Sequence, residues 1–349
     1  MKYKNDYYKQ RELNCLEKIE KITQQLPPYV YEFIVGRTDY TSPLTRLNYC
    51  FDLRIFFDYL SKKVFRAKKV EEITLFDLEN LDISVYENFL AYLSHYVIND
   101  KEESCNERAK ARKLSTVRAF YKYLYNKGRI KTNVPSKVSL PKLHEKEIVR
   151  LDIAEMVNLI NVAENGENLT ERQRAYHKNT AVRDVAILTL FLGTGIRNSE
   201  LVGLNVDDVN FSDMSFVVTR KGGNRTILYF NDEVMRALLD WLEYRNNIPN
   251  LNEDEKALFL SLQNKRITTR AIQQLVKKYA KIITPLKKIT PHKLRSTFGT
   301  NLYTETGDIY LVADFLGHSD INTTKKHYAA MSEELRRKAI KSVKIKDED

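Results

Sequence analysis

The sequence predicts a mainly α protein with one small three-stranded β-sheet, divided into two domains. Three observations carry that reading. The chain has 349 residues, too long for one typical core. It has only 11 Gly and 8 Pro, few for a protein of many strands and tight turns. Apolar residues recur at helical spacing over most of its length, and convincing strand patterns occur in one place only.

Residues 4–25 read as a polar, charged helix, which Gln25-Leu-Pro-Pro28 breaks. Leu44, Leu47, Phe51, Ile55 and Leu60 then recur at helical spacing behind the start signal Thr41-Ser42-Pro43. Another helix is expected from Ser84 to His95. The stretch from Asn106 to Lys127 carries an apolar stripe of Leu114, Val117, Tyr121 and Leu124, with Gly128 at a cap position. Arg108, Arg112, Lys113, Arg118 and Lys122 lie mostly off that stripe, with Ser115 and Thr116 among them. One face can therefore pack on a small bundle while the other meets phosphates, although an amphipathic surface helix with ordinary lysines explains the pattern too.

Residues 134–150, with Pro135, Pro141 and mixed charge, read as an irregular basic linker. A second domain begins at Leu151, with Asp152 as a helix N-cap. Residues 165–180 are polar and are expected to form an inserted loop, and 182–192 a buried helix. The three strands are Val206–Phe211, Phe216–Thr219 and Thr226–Phe230, with Gly222-Gly223 as a hairpin turn. Further helices are expected at 231–244, 268–282, 292–303, 309–316 and 323–339. The expected division is an N-terminal helix at 1–25, a helical domain at 26–133, the linker at 134–150 and a second domain at 151–349.

Composition narrows the partners. Lys and Arg number 57 and Asp and Glu 46, a net charge of +11. Residues 101–150 hold 14 Lys/Arg against 5 Asp/Glu, so most of the excess sits there. A concentrated positive segment suits a polyanion, because neutralising phosphates releases condensed counterions. Cys15, Cys50 and Cys105 are scattered, without a CxxC pair, so neither a disulfide framework nor a zinc site is readable and a reducing cytoplasm is the natural setting. The first ten residues lack a signal-peptide core, and the longest apolar stretch, near 185–192, is too short to span a bilayer.

Five segments concentrate chemistry. Gly193-Thr-Gly-Ile-Arg197-Asn-Ser-Glu200-Leu turns tightly after a buried helix and presents Arg197 at a helix start. Arg220-Lys221-Gly-Gly-Asn-Arg225 places a lysine at a hairpin tip. Thr290-Pro-His292-Lys-Leu-Arg295 puts His292 and Arg295 on one face at i, i+3. Leu316-Gly-His318 and Thr323-Thr-Lys-Lys-His-Tyr328 complete the set. Singly, each has an ordinary explanation: Arg197–Glu200 as a structural ion pair, Lys221 as a solvated lysine, the histidines and Tyr328 as core. Together, two arginines, two histidines, a lysine and a late tyrosine match one task. A phosphodiester under attack spreads negative charge over its equatorial oxygens, and needs cationic donors, an in-line nucleophile and an acid for the leaving group. No carboxylate cluster for a metal pair is evident, so fixed cations take that part and no cofactor is expected.

These motifs resemble those of the tyrosine recombinases, the phage-integrase family of site-specific recombinases. The similarity runs from about residue 26 to the end, and GTGIRNSEL, TPHKLRSTF and LGHSDINTT in this order are highly specific. The stretch Arg112–Leu124 is similar to the last major helix of the family's core-binding domain, which in relatives lies in the DNA major groove. The resemblance implies a helical core-binding domain followed by an α+β catalytic domain. It implies that Arg197 and Arg295 bind the scissile phosphate, that His292 and His318 orient it and move protons, and that Lys221 is the general acid. Glu200 then supports the site, and Tyr328 attacks phosphorus to form a 3′-phosphotyrosine.

The resemblance further implies a double-stranded recombination site as partner, exchange through a Holliday junction, and a homotetramer on DNA. A C-terminal tail at 332–343 that packs in trans, and an accessory excision or host factor, belong to the same expectation. The organisation is the simple two-domain kind, Xer- or Cre-like or a mobile-element integrase, working in the cytoplasm on the nucleoid. His318 and Tyr328 stand ten positions apart, one more than the commonest family spacing. The turn has Lys221 as its one lysine, which leaves Arg220 and Arg225 for DNA contact. The alternatives are a type IB topoisomerase-like relaxing enzyme and a catalytically silent DNA-binding regulator.

Overall fold

The computed structural model describes residues 6–98, 100–142, 149–220 and 223–317. The chain divides into two compact units, Met1–Lys146 and Glu147–Asp349. The linker residues 143–148, the hairpin residues Lys221 and Gly222, His318, Tyr328, and the helix and tail expected after 323 lie outside the described residues. Among the described residues no helix is long and apolar enough to cross a membrane.

The first unit runs α1 (Asp6–Thr23), α2 (Pro28–Val35), α3 (Pro43–Tyr59), a π-helical extension Leu60–Phe65, a 3-10 turn Val70–Glu72, α4 (Leu75–Glu79) and α5 (Ile83–Tyr92). It continues with β1 (Tyr96–Ile98), β2 (Lys101–Glu103), α6 (Glu107–Asn126) and a 3-10 turn Val134–Lys137. The helix starts follow the sequence: Ser42 caps α3 with Pro43 in its first turn, and Asn106 caps α6 by accepting from the Ala109 amide at 3.0 Å. The core is aromatic. Phe33, Phe56, Phe57, Tyr86, Phe89, Phe120 and Tyr121 are buried, with Phe33 edge-on to Phe120 and Phe56 edge-on to Phe89. The expected stripe of α6 is buried in full. The helix expected to reach His95 stops at Tyr92, and a short antiparallel hairpin pairing Tyr96 with Glu103 follows.

The second unit runs α7 (Ile153–Asn165), α8 (Glu171–His177), α9 (Ala181–Thr194), α10 (Asn198–Gly203), β3 (Val209–Asn210), β4 (Ser215–Thr219), β5 (Arg225–Tyr229), α11 (Asp232–Asn246), α12 (Thr269–Ile283), α13 (Pro291–Thr306) and α14 (Ile309–Leu316). Asp152 forms a capping box with Glu155 at the start of α7. The antiparallel sheet has the order β3-β4-β5, in the register Phe216 opposite Leu228. Phe216, Val218 and Leu228 face the core, while Ile227 and Tyr229 face solvent.

Two expectations change. The first strand is shorter than Val206–Phe211: residues 206–208 form a 3-10 turn, because the Asp208 carboxylate accepts from the Asn205 amide at 2.9 Å and holds the backbone out of the ladder. The expected loop at 165–180 contains α8, started by a Thr170–Gln173 capping box. His177 at its end is buried, with Nε2 2.8 Å from the Ala163 carbonyl oxygen. Gly166 at φ +70° makes room for that ring; a Cβ there meets Nδ1 at 2.8 Å.

Candidate active site

The site is assembled at the end of α9. Helix α9 is buried between α7, α11 and α13 and stops at Gly195, which takes φ +61°. A Cβ at Gly195 meets the Phe298 ring at 2.4 Å, so both the turn and the packing of α13 demand glycine. The turn releases Arg197 at the start of α10. Its Nη1 donates to Glu200 Oε1 at 2.8 Å, and its main-chain amide to Glu200 Oε2 at 3.0 Å. Glu200 is buried, so the pair works in a medium where Coulomb attraction is weakly screened.

Arg295 arrives from the first turns of α13, which Pro291 begins. It is only 4% exposed. Its Nη1 donates to the Gly195 carbonyl at 2.5 Å, and its Nη2 donates to the carbonyl of Leu316. Arg197 Nη2 reaches the same Leu316 oxygen at 3.0 Å, and that of Gly317 at 2.9 Å. The two arginines, 98 positions apart in the sequence, thus meet at the C-terminal end of α14. The last carbonyls of a helix have no partner within it, and they carry the negative end of its dipole. Two guanidiniums satisfy them here. His292, one turn before Arg295 on α13, is exposed.

Arg220, after β4, joins the same place: its Nη2 donates to the Phe315 carbonyl at 3.3 Å. Burial, and the nearby Arg197, pull its pKa below the ordinary guanidinium value, against the opposing pull of Glu200 and Asp314. Arg225 is exposed, 3.7 Å from Asp208. The structure thus brings Arg197, Glu200, Arg220 and Arg295 together. Lys221, His318 and Tyr328 are outside the described residues. Among the described residues, no cluster of three His, Cys, Asp or Glu side chains is placed to hold a metal ion.

The basic helix α6 needs correction. Lys113 and Thr116 belong to its interior side: Lys113 Nζ lies 3.2 Å from Asp52 Oδ1, and Thr116 Oγ1 donates to Asp52 Oδ2 at 2.8 Å. The buried carboxylate of α3 draws them inward. Arg112 also bonds Asp52, at 2.5 Å, but its side chain is half exposed. Arg118 is spent on backbone, donating through Nε to Pro135 O at 3.0 Å and through Nη2 to Val138 O. Arg108, Ser115 and Lys122 remain exposed.

A second polar face was not singled out by the sequence reading. Along α12, Arg270, Gln273, Gln274, Lys277 and Lys281 are exposed on the side opposite Ile272, Leu275, Val276 and Tyr279. Asn198, which follows Arg197, donates to the Thr269 carbonyl at 3.0 Å, so this face starts beside the arginine cluster. The signal was present as a helix with basic and amide residues on one side, but periodicity alone does not place a helix next to a site.

Comparison with known proteins follows the same outline. The model of the phage integrase family matches residues 150–334, and that of the phage integrase N-terminal SAM-like domain matches residues 37–128. A tyrosine recombinase XerC of Caldanaerobacter subterraneus subsp. tengcongensis is 34% identical over 330 residues, covering 91% of this chain and 86% of the relative. A tyrosine recombinase XerS of Streptococcus pneumoniae is 29% identical over 344 residues, covering 91% of this chain and 96% of the relative. Among solved structures, XerH bound to a palindromic difH substrate superposes with a TM-score of 0.66 at 18% identity, covering 95% of this chain and 88% of that one. The Tn1549 transposon integrase with circular intermediate DNA gives a TM-score of 0.63 at 19% identity, covering 86% and 94%. Both are likenesses of fold.

Proposed function

Because the chain belongs to the phage integrase family and is a DNA-cutting and rejoining tyrosine recombinase, we propose how its own residues divide that work. Arg197 and Arg295 bind the non-bridging oxygens of the scissile phosphate. The observation that carries this is their shared approach to the Leu316 carbonyl: two guanidiniums already converge on one oxygen, as a phosphoryl group requires. Glu200 keeps Arg197 in register. His292 and His318 orient the phosphate and assist proton movement.

Tyr328 supplies the nucleophile. Its phenolic oxygen forms a bond to phosphorus as the bond to the 5′ oxygen breaks, and Lys221 gives that oxygen its proton. The 3′-phosphotyrosine keeps the bond energy, so rejoining needs no ATP. A 5′ hydroxyl of the partner duplex then reverses the step, and two such exchanges pass through a Holliday junction. The names of the relatives favour strand exchange over topoisomerase-like relaxation or silent regulation.

Residues 26–133 act as the core-binding domain, 134–150 as the linker and 151–349 as the catalytic domain with its tail. The exposed residues Arg108, Arg112, Ser115 and Lys122 of α6, Arg225 of the hairpin and the polar face of α12 contact double-stranded DNA. The active assembly is a homotetramer on two sites, the tail segment 332–343 packs onto a neighbouring protomer, and an accessory excision or host factor sets direction. The work is done on nucleoid DNA in the cytoplasm.

The test is covalent capture. Incubated with a nicked suicide DNA carrying its site, the full-length chain is expected to form a protein–DNA adduct that Tyr328→Phe abolishes. An adduct that persists in that variant removes Tyr328 from the role.

A further inference from the structure

Arg220 is left over once the phosphate site has been described. Its backbone closes the hairpin turn: the Arg220 amide donates to Asn224 O at 2.8 Å, and Gly223 N donates to Arg220 O at 3.0 Å. Its side chain leaves the hairpin for α14. There the guanidinium donates a long hydrogen bond, at 3.3 Å, to Phe315 O. It also lies directly against Gly317: a Cβ at that position falls 2.1 Å from Nη1 and 2.3 Å from Cζ. Gly317 sits at φ +54°, so the helix stop and the guanidinium's seat both require glycine there.

This placement is costly. Nε of Arg220 is buried with no hydrogen-bond partner among the described residues. The cation is partly desolvated and shares its surroundings with the like charge of Arg197. A solvated arginine on a hairpin has cheaper positions available. The contact joins two particular points of the chain. Arg220 immediately precedes Lys221, and Gly317 immediately precedes His318. The seat of Arg220 against Gly317 therefore ties together the segments that lead into two residues assigned to proton transfer.

We propose that Arg220 is a positioning residue for proton delivery, holding the end of β4 against the end of α14 so that Lys221 is presented to the departing 5′ oxygen. The inference rests on the reading of Lys221 as general acid. In the step concerned, the tyrosine oxygen–phosphorus bond forms, the phosphorus–O5′ bond breaks, and the Lys221 ammonium transfers its proton to O5′ to leave a 5′ hydroxyl. Arg220 takes no part in the bonds exchanged.

The leaving group provides the test. Replacing the bridging 5′ oxygen by sulfur gives a thiolate leaving group, whose conjugate acid has a pKa of about 8.5, so departure no longer needs a proton. Single-turnover cleavage of oxygen and sulfur suicide substrates is measured for the full-length wild type, R220A, R220K, K221A, R197A and G317A. R220A is expected to cut the oxygen substrate slower by on the order of 10²-fold, the usual loss for a misplaced catalytic group, and the sulfur substrate at close to the wild-type rate. R220K recovers part of the loss. G317A, which puts a methyl group into the guanidinium's seat, is expected to slow the oxygen substrate more than the sulfur one, and R220K, which keeps a cation on a long side chain, covers the case in which R220A fails to fold. R197A stays slow on both substrates, because its loss lies in charge stabilisation. Equal slowing of R220A on both substrates, or none on either, overturns the proposal. If K221A is not rescued by sulfur, the reading of Lys221 itself falls, whatever Arg220 does.

Discussion

Arg197 and Arg295 donate to one and the same oxygen, the main-chain carbonyl of Leu316. Each is also held from behind, Arg197 by Glu200 and Arg295 by the Gly195 carbonyl. The pair is therefore oriented before any DNA arrives, and such preorganisation is what makes charge stabilisation effective. Replacing either by Ala should lower the cleavage rate about 10²- to 10³-fold, or about 3–4 kcal/mol, by analogy with the loss of one oxyanion donor. DNA affinity should change far less, since many other phosphate contacts remain. Single-turnover cleavage beside a binding titration checks this; equal losses in both would count against the assignment.

Arg295 carries an additional structural load. It is buried and satisfies two backbone carbonyls from separate elements. Arg295→Ala takes away the guanidinium donor of the Gly195 carbonyl and one of the two donors at the Leu316 carbonyl, which Arg197 still reaches, and this costs about 1–3 kcal/mol of stability. Arg197→Ala, in a more open position, should cost less. Urea denaturation of the two variants side by side should show that order, and the reverse order would contradict the structural load assigned to Arg295.

Glu200 uses both oxygens on one residue, the side chain and the main-chain amide of Arg197. Glu200→Ala should lower cleavage on the order of 10²-fold through misplacement of the guanidinium. Glu200→Gln retains one acceptor and should lose less. A rate unchanged in Glu200→Ala would remove it from the site.

Asp52 is a fully buried carboxylate that holds Lys113, Arg112 and Thr116. Its removal strands the Lys113 ammonium, so Asp52→Ala should destabilise by about 3–5 kcal/mol, and a second change, Lys113→Met, should restore part of it. For DNA, Arg108→Ala or Lys122→Ala should lower the slope of log K against log salt by about 1 each. Lys113→Ala should show its loss in urea melts before that slope moves.

Cys50 is buried, and desolvation pushes its thiol up to about 12, against the lowering pull of Arg46. At pH 8 iodoacetamide should label it only after unfolding. The folded state keeps the thiol neutral while an unfolded chain ionises it near pH 9, so its contribution to stability is complete below that pH. It is lost as pH rises towards 12. Wild type minus Cys50→Ala stability, followed from pH 8 upward, should show that decline; rapid labelling in the native state would contradict the burial.

Much of this architecture is written in local signals. Ser42, Asn106, Asp152 and Thr268 each cap the helix that their position promises. The glycine and proline settings of Arg197 and Arg295 are legible for the same reason. Depth is harder to read. Periodicity gives the angle of Lys113 on its helix, but not the Asp52 carboxylate waiting on α3 sixty-one positions earlier. Helix α8 was hidden by polar composition although its Thr170–Gln173 box was in plain view. The β1–β2 hairpin has three residues a side, too few for alternation to show. The meeting point of the arginines is a main-chain oxygen, which has no letter in the sequence.

That anonymity has a consequence for how the protein can vary. A carbonyl cannot be removed by exchanging the side chain at 316, so residues 309–316 can change so long as they remain a helix of this length and keep Val312, Ala313 and Leu316 apolar for the core they fill. Adding or deleting a single residue is another matter. It turns the final peptide by about 100° and shifts it by about 1.5 Å, carrying the acceptor away from both guanidiniums. The span between Asp308 and Gly317 is thus a ruler: its spelling is negotiable, and its count is not.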